Sequence, residues 1–330
     1  MLKAWLIEQP DSLDQLVWGE IQDVHADEGQ LVVKVISTAL NPVDYSMVQS
    51  GNQNWTYPHY TGVDLAGEVV EVGRNVGGFN VGDRVACHTD LNKKGAFAEY
   101  TIIDAMAAAK IPEGVSFDHA AAILCAGMTA YIAIFQKMNP AQKQTILIHG
   151  GAGGVGGFAI QLAKEMGLKV FTTASSTNHE WVKSLGADVA IDYRIEDVTK
   201  RILEETNKEG VDLIFNTVSS AEATEDLKRL AFSGQLSYIA GRPDLSTIKP
   251  FSLSPSIHEV ALGAAHTSGS IRAKKNLSFM AEELMQRVKK GTLNPMINEV
   301  LPREELPSGL KKLKGRHVRG KIIVRMQPNL

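Results

Sequence analysis

An apolar run, Thr145 to His149 (TILIH), breaks into glycine: in Gly150 to Gly157 only Ala152 and Val155 are not Gly. Glycine loses more backbone freedom on folding than any other residue, so this density weakens any regular element unless something requires it. Gly151, Gly153 and Gly156 fit the spacing G-x-G-x-x-G, behind a strand-like run and ahead of the helix-like GFAIQLAKEMG. In that setting the first glycine allows a tight turn, the second lets backbone approach a pyrophosphate, and the third lets helix and strand pack closely. A helix opening at Gly154 and Val155 offers unpaired N–H groups and partial positive charge to phosphates. The stretch therefore calls for a strand–turn–helix unit in a parallel sheet, holding a dinucleotide.

The sequence behind it agrees. KVFTTA, DVAIDY, VDLIFNTV, GQLSYIA and HEVALGAAH read as strands, and HEWVKSLGA and AEATEDLKRLA among the helices between them. Apolar runs alternating with helices predict a parallel sheet covered on both faces. The region up to about Asp104 has a different texture. LVVKVISTAL, GEVVEV, DRVACHT and AFAEYTII are β-branched runs separated by Gly, Asn and Pro, irregularly spaced as in a Greek key or barrel. The Ala-rich Asp118 to Lys137 suits helix, broken near Gly127, and a further helix lies between Lys274 and Lys290. The final run GKIIVRM resembles the first region and is expected to return to it.

Composition narrows the function classes. A length of 330 residues favours two domains, and a net charge of −3 gives no footprint for nucleic acid or anionic membrane; the basic KKLKGRHVRGK reads as a solvated face. Two cysteines, Cys87 and Cys125, make no disulfide framework and suit a reducing cytosol. MLKAWLIEQPD is too short and too soon charged for a signal peptide, and no apolar run approaches the roughly 18 residues of a membrane span. The expectation is a cytoplasmic protein without nucleic-acid or membrane partners.

The end of the second strand selects the nucleotide. NAD-binding units carry an acid there for the ribose 2′-hydroxyl. Here the chain reads Ala174-Ser175-Ser176-Thr177-Asn178-His179, with Ser175 where the acid would stand. A small hydroxyl leaves room for a 2′-phosphate, so NADPH is expected, with His179, Lys183 or Arg194 as its basic partner. Ser175 also suits a helix N-cap. Asn216, Val218 and Ser219 follow the fourth strand and Ala240, Gly241 and Arg242 the fifth, at the strand ends that face ligand in such sheets.

Taken jointly, NPVDY (Asn41–Tyr45), GVDLAGEVVEVG (Gly62–Gly73), GDRV (Gly82–Val85), GAFAEY (Gly95–Tyr100), GMTAY (Gly127–Tyr131), HGGAGGVGGFAIQLAK, KSLGAD and Gly320-Lys321 resemble the medium-chain dehydrogenase/reductase superfamily. The likeness is to its zinc-free, zeta-crystallin-like quinone oxidoreductase branch and spans nearly the whole chain. It implies an α/β protein: a GroES-like β-rich catalytic domain over 1–125, completed by 268–330, and a Rossmann cofactor domain over 126–267. It further implies an active cleft between the two, a homodimer or homotetramer often joined through a last strand near Glu259 to Ala265, and cofactor roles for Thr129, Tyr193 and Arg319.

Zinc enzymes of the superfamily bind catalytic metal through Cys, His and Cys. By motif those positions hold Asn41, Val63 and Cys125 here, and the structural zinc lobe is absent, so no metal is expected. Without a Lewis acid, hydride transfer to a quinone or α,β-unsaturated carbonyl is easier than alcohol oxidation, because the acceptor delocalises the developing charge. Asn41 and Asp44 stand in the cleft motif, as a substrate-facing amide and an orienting carboxylate or as turn residues around Pro42. Asp64 matches a Glu of the zinc enzymes. Tyr45, Tyr57 and Tyr60 are proton donors or, with Trp55, aromatic walls; the other reading for each is packing under a loop. Two alternatives stand: a 2-enoyl-thioester or other enone reductase, and a protein that retains cofactor with little turnover.

Overall fold

The computed structural model describes residues 1–316 and 318–327. It divides into two units, Met1–Met128 with Gly263–Leu330, and Thr129–Leu262. His317 of the basic stretch and Pro328, Asn329 and Leu330 of the closing segment lie outside the described residues.

The first unit is β-rich. Its centre is Gln30–Ala39 (QLVVKVISTA), whose valines and isoleucine suit a pleated surface; most of the strand is buried. Asp64–Val72 and Tyr100–Asp104 pair with it antiparallel, Arg84–His88 pairs with Asp64–Val72, and Ala108–Lys110 with Arg84–His88. Lys321–Arg325 closes the other side, antiparallel to the end of the central strand with Ile323 opposite Ala39, and Ile297–Pro302 runs parallel beside it. This pairing brings Lys321 to Leu40 and Asn41, 280 residues away in sequence. A separate antiparallel pair joins Leu2–Leu6 to Val17–Ile21. The helix Ile271–Lys289 is capped by the Ser270 hydroxyl and buries Leu277, Met280, Ala281, Leu284 and Met285, the three-and-four spacing of one helical face.

The second unit is a six-stranded, wholly parallel sheet. Its order is Val189–Ile191, Lys169–Thr173, Thr145–Ile148, Val211–Asn216, Leu230–Tyr238 and Ser256–Glu259. The first strand in sequence thus lies at the middle of the sheet. The connections leave it in opposite directions, which puts the topological switch point at the carboxyl ends of Thr145–Ile148 and Val211–Asn216, the place where ligands bind in sheets of this kind. Ile146, Leu147, Ile148, Leu213, Ile214 and Phe215 are buried, as a sheet covered on both faces requires.

The structure revises three sequence expectations. The Ala-rich stretch breaks at Ile123–Leu124, between helices Phe117–Ala122 and Cys125–Tyr131, and not at Gly127. The buried Asp64 carboxylate accepts from the Cys125 N–H (2.8 Å), which fixes the second helix's start. The helix expected over AEATEDLKRLA ends early: Ser220–Glu225 is followed by one 3-10 turn and then strand from Leu230, which pairs with Val211. The last parallel strand is only Ser256–Glu259, and Ala264 and Ala265 are helical, so the run Glu259 to Ala265 is not one strand.

Truncating Ile214, which is fully buried in a central strand, leaves a cavity that its neighbours only partly fill. Ile214→Ala is expected to cost about 2–5 kcal/mol of unfolding free energy, read as a lower urea midpoint at unchanged slope.

Candidate active site

In the first unit the NPVDY motif leaves the central strand and opens the helix Pro42–Ser50, with Pro42 in its first turn, where its missing N–H costs nothing. Asp44, one turn in, is fully buried and accepts from the backbone N–H of Asn41 (2.8 Å) and of Val63 (3.1 Å). Asp64 is equally buried. Its carboxylate receives the Asn41 amide (2.8 Å) and the Cys125 N–H, and lies 3.5 Å from the Lys321 ammonium. Lys321 is 3% exposed and also donates to the Asn41 Oδ1 (2.6 Å). Burial pushes both carboxyls up, Asp44 to about 7 with Asp64's charge adding to the rise. The Lys321 charge and the donated bonds work against burial at Asp64.

This arrangement corrects two site expectations. The Asn41 amide donates inward to Asp64 and to the Ala39 carbonyl (3.1 Å), and the side chain is 2% exposed. Both amide protons are thereby committed, so Asn41 organises the cluster and has no proton left for a substrate. Tyr60 is 1% exposed in a cluster with Ala4, Leu6 and Ala98, and burial raises its phenol to about 12. It is core packing and not a proton donor. Tyr45, next to Asp44, is half-buried, and Tyr57 is exposed.

The donor set at the three zinc positions is an amide, a valine and one thiol. Burial drives the Cys125 thiol above its ordinary range, and the cation beside Asp64 is Lys321. These residues do not fit a catalytic zinc, which needs three thiolate, imidazole or carboxylate ligands. Among the described residues, one His/Asp/Glu group is compact enough to share a metal, namely His149, Glu222 and Asp226 in the second unit. The Arg229 guanidinium already pairs with both of its carboxylates.

The second unit presents the glycine turn at the sheet's carboxyl edge. The tight bend falls on Gly150 (φ 66°), one residue before the first glycine of the motif. Gly151 is required instead by close approach, since a Cβ there would strike the Thr172 hydroxyl and Ile160. A Cβ at Gly156 would strike the Gly150 carbonyl, so the third glycine lets helix and turn touch. At Gly153, the N-cap of Gly154–Glu165, an added Cβ meets nothing closer than 3.4 Å. Among the described residues nothing demands that glycine, which leaves the space before the helix N-terminus open to a phosphate. The turn fits a dinucleotide pyrophosphate.

Around the second strand's end, Ser175 is buried and does not cap with its side chain; its hydroxyl meets Thr177 (3.0 Å) and Asn178 (3.0 Å). The sequence reading missed Asp192, whose carboxylate accepts from the Ser176 N–H (2.8 Å) and the Arg194 N–H (3.0 Å). It ties the Arg194 backbone to the Ser176 backbone through one carboxylate. The only signal for it was the next-to-last residue of DVAIDY, an acid just past a strand. His179 is turned to the Ala174 carbonyl (3.2 Å), and Lys183 lies 4.0 Å from Glu180. Asn216 is fully buried and bonded to Asp226 (2.7 Å) and to the Val218 N–H (2.9 Å), so it shapes the loop and does not face ligand. Val218 is exposed, Thr129 buried, and Gly241 (φ 127°) lies against Ser220 where no other residue fits. Arg319 is exposed in the first unit.

Comparison with known proteins agrees with this architecture. The family model for the alcohol dehydrogenase GroES-like domain matches residues 27–113, and that for zinc-binding dehydrogenases matches residues 154–288. Dehydrogenase pigH of Monascus ruber is 42% identical over 195 residues, 53% of this chain and 53% of the relative. The 2-methylene-furan-3-one reductase of Solanum lycopersicum is 36% identical over 235 residues, 67% of this chain and 58% of the relative. The chain thus spans little more than half the length of these two curated relatives. The quinone oxidoreductase structure from Pseudomonas syringae pv. Tomato DC3000 superposes with a TM-score of 0.87 at 27% identity, over 99% of this chain and 100% of that one.

Lys321→Met would leave Asp64 buried without its cation, and is expected to cost about 3–5 kcal/mol in equilibrium unfolding. Asp44 has its own pH signature. Its carboxyl ionises near 3.8 when free and about 7 when folded, so the folded chain holds the extra proton between those values. The stability it contributes is complete below about pH 4 and lost as pH rises through about 7. Asp44→Asn should flatten the fall in urea midpoint over that window.

Proposed function

This chain belongs to the medium-chain dehydrogenase/reductase superfamily, and we propose that it is a zinc-independent, NADPH-dependent oxidoreductase that reduces a quinone or an α,β-unsaturated carbonyl. The observation that carries the reading is Lys321. Its buried ammonium sits 3.5 Å from Asp64, whose carboxylate also accepts the Cys125 N–H, and is bonded to Asn41. The three positions matching the zinc ligands hold Asn41, Val63 and Cys125, which make no metal-ligand set. Alcohol oxidation there would lack the Lewis acid that stabilises an alkoxide. A conjugated acceptor spreads the developing negative charge through its own π system and needs only a donor or two.

NADPH, when bound, supplies the hydride. The N–H groups of Gly154 and Val155 and the cradle of Gly151, Gly153 and Gly156 hold its pyrophosphate. Ser175 leaves room for the 2′-phosphate, and Arg194 is its basic partner. Arg194 is assigned over His179 and Lys183 because Asp192 ties its backbone to the Ser175–Ser176 turn. Tyr193 covers the adenosine, and Thr129, Val218, Gly241 and Arg319 complete the nucleotide contacts. Tyr45 is the proton donor at its phenol oxygen, held on the helix that Asp44 anchors. The names of the tomato relative and of the Pseudomonas structure support the enone and quinone sides of the acceptor class respectively. The reading includes a cytoplasmic homodimer or homotetramer with no nucleic-acid or membrane partner. In its support, the net charge is −3 and no helix among the described residues is long and apolar enough to cross a membrane.

Steady-state assays with NADPH or NADH against 1,4-benzoquinone, a conjugated enone, crotonyl-CoA and simple alcohols test it. NADPH oxidation by quinone or enone, unchanged by 1,10-phenanthroline, is the expected result. Alcohol oxidation abolished by the chelator, or tight NADPH binding without turnover of any acceptor, overturns it. Arg194→Ala should weaken NADPH by about 10–100-fold while leaving NADH within about twofold, the value of one charge-assisted contact to the 2′-phosphate.

A further inference from the structure

Beneath the glycine turn lies a chain of buried hydrogen bonds that the reaction above does not use. His149 directly follows the strand Thr145–Ile148 and is 2% exposed. Its Nε2 is 2.8 Å from the Asp226 carboxylate, and its Nδ1 is 3.3 Å from the Thr173 hydroxyl. Asp226 is fully buried and further held by Arg229 (2.8 Å) and by the Asn216 amide (2.7 Å). The bond polarity follows from these partners. An ionised Asp226 can only accept, so in the neutral imidazole Nε2 carries the proton and Nδ1 is left as an acceptor. The Thr173 hydroxyl gives its proton to that Nδ1 acceptor and itself accepts from the Gly150 N–H (3.1 Å).

The chain thus runs Gly150 N–H, Thr173 hydroxyl, His149 ring, Asp226. It starts at the residue whose positive φ makes the tight bend. The same two residues grip neighbouring backbone: the Thr173 carbonyl accepts from the Gly151 N–H (3.1 Å), and the His149 carbonyl from the Thr217 hydroxyl (2.8 Å). Three loops at the carboxyl edge of the sheet are in this way tied to one carboxylate. Bonds in series at low dielectric polarise one another, so the carboxylate at one end stiffens the amide at the other.

We propose that His149, oriented by Asp226 and acting through the Thr173 hydroxyl, is a positioning residue that presets the glycine turn for the nucleotide pyrophosphate. The proposal rests on the NADPH reading above. It assigns no step of the chemistry to His149. It separates holding the nucleotide from reacting with it: loss of the chain should loosen the turn, weaken binding and leave the bound complex competent.

The test measures the NADPH dissociation constant by nucleotide fluorescence, and kcat at saturating NADPH, for the wild type, Thr173→Val, His149→Phe, the double variant and Thr173→Ser. Thr173→Val and His149→Phe should each weaken NADPH by about five- to tenfold, the net value of a buried hydrogen bond, with kcat within twofold. The double variant should be no weaker than the weaker single, because both break one chain, and Thr173→Ser, which keeps the hydroxyl, should bind as the wild type does. Wild-type affinity in Thr173→Val, multiplied losses in the double variant, or a fall in kcat at unchanged affinity would each overturn the proposal. Should His149→Phe fail to fold, the contrast between Thr173→Val and Thr173→Ser decides alone. A wild type that binds no nicotinamide nucleotide would instead refute the functional reading itself.

Discussion

A carboxylate shut away from water has to be surrounded by donors and a compensating charge, and each unit of this chain is organised around one. In the β-rich unit Asp64 collects the Asn41 amide, the Cys125 N–H and the Lys321 ammonium. Those groups come from a strand end, a helix start and the last strand, so satisfying one side chain fixes where three distant segments meet. In the parallel-sheet unit Asp226 collects His149, Asn216 and Arg229. Neither set stabilises much beyond what an apolar core of equal volume would, since desolvation offsets most of the attraction. What such a set does provide is uniqueness, because any other arrangement strands a charge.

That constraint accounts for the difference between this site and a metal centre of the same scaffold. Asp64 places a buried carboxylate beside Asn41, and something positive has to answer it. Lys321 does so with a compact ammonium on a flexible stem that reaches past Leu40. A fixed ammonium balances charge but has no open coordination position, and so cannot polarise an alkoxide as zinc does. The proposed reaction, hydride transfer to acceptors that carry their own charge delocalisation, asks for no such Lewis acid.

The nucleotide side follows a different rule, in which backbone outweighs side chains. The glycine turn brings N–H groups to the sheet edge, and the side chains nearest it mostly hold other backbone: Asn216 the Val218 loop, Asp192 the Ser176 turn, Thr173 the Gly150 amide. Residues that look like ligands in a linear reading turn out to hold the residues that face the ligand.

The parts legible in the sequence were those with local causes. The glycine spacing and the alternation of apolar runs with helices each depend on neighbours within a turn or two, so the sheet type and the glycine turn could be read directly. The roles of Asn41, Tyr60 and Asn216 could not, because a side chain's freedom to meet a substrate depends on how many of its bonds are already taken. For Asn41 the partners are Ala39, Asp64 and Lys321, the last 280 residues away. The helix break at Ile123 likewise has its cause at Asp64, invisible in the Ala-rich run itself. The sequence alone determined which backbone shapes were affordable and where no thiolate or imidazole stood to bind metal. Only the tertiary structure decided which polar groups were spent on each other, since that is a matter of distance in space, and chain order does not encode it.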